Sequence, residues 1–220
     1  VLPGETGAQP LAGGSHGGEG WFGSPSGGWD RTTLNLPGSA YDSLRDPRLP
    51  GGGGASSSST LAGGAGGGVI RLLAPNARVR IDGDIVADGG SATGGGGAGG
   101  TVRLSAARLE GTGRVLARGG DGSAFNSTGG GGGGRIAISY RDLAASFDLA
   151  TQVDASGGHN NSPALAAANR RAGAGTIFVE PVDLATGIPQ AGRLRSANAL
   201  APAIAALTPL PALGDGSVVA

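Results

Sequence analysis

The sequence predicts an all-β chain: a short parallel β-helix, or solenoid, with glycine-rich loops of polyglycine-II type and irregular arms at both termini. Three observations predict it. Glycine supplies 48 of the 220 residues, far above the usual ~7%. One phrase recurs: a glycine run, an alternating strand, a Gly-bearing bend, a second alternating strand and a polar glycine loop, most completely in residues 94–135. Aligned copies of this phrase place apolar residues over apolar residues, as expected of units that bury an apolar face only by stacking on their neighbours.

The repeats occupy residues 63–186. Residues 1–62 form a Gly/Ser/Pro-rich arm with no sustained period of two or 3.6. Its tryptophans, Trp21 and Trp29, are costly to leave wet, so the arm is expected to lie on a preformed surface. The first strands of the repeats are 69–73, 101–105, 135–139 and 176–180. Alternation puts Ile70, Val102, Ile136 and Ile177 in one inward column, and Leu72, Leu104, Ile138 and Val179 in the next.

The second strands align on an Ala-x-Gly-Gly ending at Ala87, Ala117 and Ala155. Read backwards, that register stacks Ile85, Val115 and Val153, and then Val79, Leu109 and Phe147, on the inside. Outside, Arg80 falls over Glu110, Asp84 over Arg114 and Asp88 over Arg118, so opposite charges meet at strand spacing. A short helical insertion is predicted near 162–172, where Ser162 is an N-cap and Pro163 takes the first helical position. Residues 187–220 are an Ala/Pro-rich C-terminal arm, in which Pro202, Pro209 and Pro211 deny a long helix.

The glycine runs need their own account, because isolated polyglycine makes a poor strand. Recurring at the same point of every repeat, they are expected to lie side by side as extended, polyproline-II-like chains. Their N–H and C=O groups then pair between runs with no side chain in the way.

Several chemistries are excluded or weakened. There is no cysteine, hence neither disulfide nor thiolate metal site. Net charge is zero, which gives no global pull toward nucleic acid or an anionic membrane. No apolar run approaches the ~18 residues of a membrane span. The acids on the outer face each have an arginine nearby, so they read as an exposed charge ladder rather than an active site. His16 and His159 sit in glycine loops with no second His or acid at ligand spacing, and read as loop residues open to hydrogen bonds with backbone. Arg71 and Arg103 stack outward, either solvated or available to an acidic glycan or phosphate. Asp82, Asp84 and Asp121 are weak calcium candidates, since two or three oxygens fall short of the six a hard cation needs. No catalytic or cofactor-binding residue is expected, and no Walker loop or nucleophile elbow stands out of the glycine background.

The phrases GGSHGGEG, AYDSLRDP, GGAGGGVIRL, IDGDIVADGG, GGGGAGGTVRLSAARLEGTGRVLARGG and GGGGGGRIAISY follow one another in that order. Over roughly residues 12–142 the chain resembles the glycine-rich repeats of large bacterial surface proteins of the adhesin-like, pectin-lyase-like type. The resemblance implies a secreted, right-handed parallel β-helix with structural or adhesive roles and no shared active site.

Three or four rungs at ~4.8 Å make a stack under about 20 Å long. Its two ends expose strand edges unless something covers them. The expected function is therefore a non-enzymatic extracellular structural protein, a piece of a longer secreted precursor. It would be the subunit of a surface filament or matrix fibre assembled by end-to-end stacking or strand exchange. The alternative is an adhesin-type binding module for glycans or a host or cell surface, and a remote third is a polysaccharide lyase or hydrolase.

Overall fold

The computed structural model describes residues 11–23, 36–56, 61–123, 128–160, 171–183, 185–186, 188–190, 192–195 and 208–209. The helical insertion expected near 162–172, apart from Arg171 and Ala172, and most of the C-terminal arm lie outside the described residues. Among the described residues nine strands follow in order: β1 Val69–Arg80, β2 Asp84–Val86, β3 Thr101–Glu110, β4 Arg114–Leu116, β5 Arg135–Leu143, β6 Val153–Asp154, β7 Thr176–Pro181, β8 Arg193–Arg195 and β9 Thr208–Pro209. Each of the first three repeats gives one long strand to a six-stranded sheet, order β1-β3-β5-β7-β8-β9. It gives one short strand to a three-stranded sheet, order β2-β4-β6.

Alternating apolar residues set the register. Ile70 lies opposite Val102, Val102 opposite Ile136 and Ile136 opposite Ile177; Leu72, Leu104, Ile138 and Val179 make the next column. Apart from Leu72, these side chains meet Val115 and Val153 of the small sheet, and Ala87, Ala117 and Ala155 just beyond its strands, in one apolar core. Burying a side chain of this size contributes roughly 1.5–3 kcal/mol, so the central members of the columns are the main source of cohesion between the sheets. The long strands outrun the segments 69–73 and 101–105, reaching Arg80 and Glu110 before the chain bends. At the bend after β3, Gly111 has φ +118°, a conformation that glycine adopts without steric cost. A Cβ there would also stand 2.0 Å from the Ile81 carbonyl oxygen.

This architecture corrects the expected parallel β-helix. The large sheet is mixed: β1, β3, β5 and β7 run parallel, but β8 pairs antiparallel with β7, and β9 antiparallel with β8. The described residues do not close into a solenoid of strands. Between the end of each short strand and the next long one, no strand forms in 87–100 or among the described residues of 117–134. The cause is composition: those segments lack the side chains whose cross-strand packing stabilises a ladder. One column also shifts. Leu109 faces Leu143 on β5, not Phe147, which packs into the core after the turn that follows β5.

The glycine segments form a third layer held mainly by backbone hydrogen bonds, which repeat every third residue. The N–H groups of Gly96 and Gly99 donate to the carbonyls of Gly129 and Gly132; those of Gly97 and Gly100 donate to Gly90 and Ala87; Ala98 donates to Gly52 and Gly95 to Ala55. Consecutive residues thus address three different neighbours, as a chain with three residues per turn must. The run 129–134 does the same, with Gly129 and Gly132 donating to Leu11 and Gly14, and Gly131 and Gly134 to Gly120 and Ala117. Apart from Gly111, no described glycine has φ between +20° and +160°. Glycine is required here for its missing side chain: a Cβ on Gly131 would sit 2.0 Å from the Gly97 oxygen, and one on Gly132 2.0 Å from that of Gly18.

Candidate functional site

The two ends of the strand stack differ. In the second inward column Leu104, Ile138 and Val179 are each 1% exposed, whereas Leu72, on the edge strand β1, is 40% exposed. Ile70 and Ile85, the other inward residues of the edge strands, are only half-buried, so the core opens to solvent along the edge made by β1 and β2. At the other end β7 is covered by β8 through the pairs Ile177–Arg195, Phe178–Leu194 and Val179–Arg193. The sequence implied two open ends; one is covered by an antiparallel strand.

The outer charge columns sit where the register places them. Arg114 makes a two-pronged contact with Asp84, Nε to Oδ1 at 3.1 Å and Nη2 to Oδ2 at 2.6 Å. Arg118 does the same to Asp88 Oδ2, through Nε at 3.0 Å and Nη2 at 2.6 Å, while Asp88 Oδ1 accepts the Arg118 backbone N–H at 2.7 Å. Arg80 lies opposite Glu110, but its guanidinium turns to Asp82 at 2.6 Å and reaches Glu110 only at 4.0 Å. Glu110 is taken instead by Arg108 at 3.1 Å and Arg78 at 2.5 Å. Hydrogen bonds from Arg80, Arg114 and Arg108 hold the carboxyls of Asp82, Asp84 and Glu110, respectively, below the usual range. Pairs this exposed are screened by water and salt and contribute little to stability.

The calcium candidates do not converge. Asp82 faces Arg80, Asp84 faces Arg114, and Asp121 accepts the backbone N–H of His159 at 2.7 Å. Among the described residues no three His, Cys, Asp or Glu side chains come together. Arg71 and Arg103 also have partners: Arg71 donates to the Pro47 carbonyl and to Asp46, both at 2.7 Å, and Arg103 donates to Ser139 Oγ at 3.1 Å. With the Arg45–Glu180 pair at 2.8 Å, they tie the segment around 45–47 to the large sheet.

His16 is the loop residue against backbone that the sequence suggested, but its burial and its partners were not foreseen. It is 0% exposed, with Nδ1 2.9 Å from the Gly99 carbonyl oxygen and Nε2 3.5 Å from Asp42 Oδ2. Its ring packs tilted against Tyr41 at 4.9 Å. Gly96 O accepts from Gly14 N, and three residues on the imidazole stands against Gly99 O in place of a backbone donor. Burial lowers the His16 pKa, because a charged ring would lose its hydration. Burial opposes the charge of Asp42, yet the N–H groups of Leu49, Ser43 and Arg48 outweigh it and hold that carboxyl below the usual range. The signal was in the sequence: GGSHGGEG and AYDSLRDP are the two phrases that meet here.

A polar furrow of about 380 Å³ crosses the Ala-x-Gly-Gly endings. Its floor is glycine backbone, and each repeat contributes one polar residue on either side: Asp88 and Ser91, Arg118 and Asp121, Ser156 and His159. One wall is a ladder, in which Ser91 Oγ accepts the Asp121 N–H at 2.9 Å and Asp121 Oδ1 that of His159. Arg171 joins from the end of the third excursion, its Nη1 donating to the Gly157 carbonyl at 3.1 Å. Comparison of the chain with protein-family models, curated proteins and solved structures finds no match.

Proposed function

We propose that the chain is a non-enzymatic structural module of an extracellular surface filament or matrix fibre. It extends by adding a second copy at the open β1–β2 end. The observation that carries this reading is the contrast between Leu72 and the buried members of its own column. A twelve-residue edge strand with exposed Val69, Leu72 and Leu73 leaves both backbone groups and apolar surface uncovered, which is a template for another chain. Strand addition is favoured over simple stacking of two equal ends, because the far end already carries the antiparallel strand β8. A strand donated from another part of a second copy makes a contact that does not close, and so allows growth into a fibre. Pairing of two β1 edges closes at a dimer.

Sedimentation velocity and negative-stain imaging over a wide concentration range test this. Wild-type protein is expected to form concentration-dependent oligomers or fibres, and Leu73→Lys, which places a charge on the edge, is expected to remain monomeric. Wild-type protein that stays monodisperse and globular at high concentration would sink the proposal.

A further inference from the structure

The furrow carries an inference beyond the structural role: we propose that it binds an extended, uncharged, hydroxyl-rich glycan chain lying along the stacking direction. Its shape follows from the repeat. Glycine at 89, 119, 120, 157 and 158 leaves a floor without side chains, which lets a ligand approach the backbone closely. The polar walls recur with the strands, at ~4.8 Å per repeat, so a linear chain meets similar groups several times while a compact ligand meets them once.

The chemistry selects hydroxyl groups. Three carboxylates, Asp88, Asp121 and Asp154, stand among two guanidiniums, Arg118 and Arg171. A polyanion would meet the carboxylates and a polycation the arginines. A hydroxyl accepts from a guanidinium and donates to a carboxylate at once, so a polyol satisfies both walls. Much of the wall is already engaged: Arg118 is held by Asp88, and Asp121 by the N–H of His159. One group is not. Arg171 Nε is buried with no hydrogen-bond partner, and a buried donor without an acceptor is costly. Arg171 lines the furrow and is only half-buried, so a turn of its side chain would bring that donor to a sugar oxygen, which makes Arg171 the residue on which affinity is expected to depend most. Among the described residues no Trp, Tyr or Phe lines the furrow, so binding rests on polar contacts and repetition along the chain.

The test is a titration of the full chain with cellohexaose, laminarihexaose and maltohexaose, followed by amide NMR shifts, with polygalacturonate as the charged comparison. Saturable shifts at Gly119, Gly120, Gly157 and Gly158 are expected with at least one neutral hexaose. Arg171→Ala should weaken its binding about tenfold, the loss of one charge-assisted hydrogen bond. Leu73→Lys, at the open end, should bind like wild type, which separates this site from the assembly surface. If Arg171→Ala does not fold, Arg171→Gln, which also lacks the guanidinium, takes its place with the same expectation. The proposal is overturned by an absence of saturable shifts with all three hexaoses, by unchanged affinity in the variant, or by tighter binding of polygalacturonate.

Discussion

The two-sheet side of the molecule and its glycine side are built from the same repeats but cohere in different ways. Between the sheets, side chains do the work: Leu104, Ile136, Ile138 and Val179 are buried against the small sheet, and their alternation sets the register. On the glycine side, side chains are excluded, and cohesion comes from backbone hydrogen bonds that turn by a third of a revolution per residue. The comparison teaches that a wide core is not the only way to order a chain poor in large apolar residues. Where every peptide group finds a partner, close backbone approach replaces apolar volume.

The sharpest way to break the comparison is to add one methyl group to each side. Gly131→Ala puts a Cβ 2.0 Å from the Gly97 oxygen, a backbone atom pinned by its own hydrogen bond from Gly120. We expect a loss of roughly 4 kcal/mol or more, or no folded protein. Gly68→Ala, where nothing lies within 4 Å, should stay within about 0.5 kcal/mol of wild type. Denaturant unfolding of both decides whether the layer is as rigid as its hydrogen bonds imply; equal, small effects would mean that it yields.

On the sheet side, removing volume is the matching experiment. Leu104→Ala should cost about 2–5 kcal/mol, the range for a buried leucine in a packed core. Leu72→Ala, in the same column but 40% exposed, should cost well under half as much in the monomer. If the two costs are equal in dilute solution, the open end is already covered by another copy, and the comparison then reports assembly.

The smallest expected effect concerns the junction of the two sides, where His16 and Asp42 sit. The folded-state pKa of His16 lies below its unfolded value, so the unfolded chain takes up a proton more readily. The stability from the neutral ring is fully present above about pH 6.5 and declines as pH falls from there toward the folded pKa. The Asp42 contribution is present above its unfolded pKa, near 4, and is lost as pH falls further through its depressed folded value. Thermal melts should therefore fall in two successive stages on acidification, and His16→Gln should remove the upper one. A wild-type Tm that is flat between pH 7 and 5 would contradict the buried neutral ring.

Much of the sheet side was legible in the sequence, and particular residues show why. A period of two is a strong signal when Ile70, Val102, Ile136 and Ile177 recur after similar excursions, and the same alignment brings Asp84 to Arg114 and Asp88 to Arg118. The antiparallel cover of β7 was not legible, because β8 is a three-residue strand, Arg193–Arg195, with no alternation to read. Nor was the place of Leu143 opposite Leu109: the Gly-Gly anchor used for alignment lies beyond the turn at 144–147, whose length the pattern does not reveal. The loop position of His16 was legible but its partners were not, because they are 26 and 83 residues away, beyond any local spacing rule.

By itself, then, the sequence determined which residues face the core, where the strands run and where glycine must stand, since alternation and the absence of a Cβ are local properties of the chain. The backbone-paired glycine layer was expected from the recurring runs, and only the tertiary structure decided which neighbour each of its peptide groups takes. It alone decided that one end of the core is covered and the other open, and that the Ala-x-Gly-Gly endings line a furrow. The physical reason is common to all three. A peptide group carries the same donor and acceptor whatever its residue, so the partner it takes is chosen by which chain lies beside it in the fold.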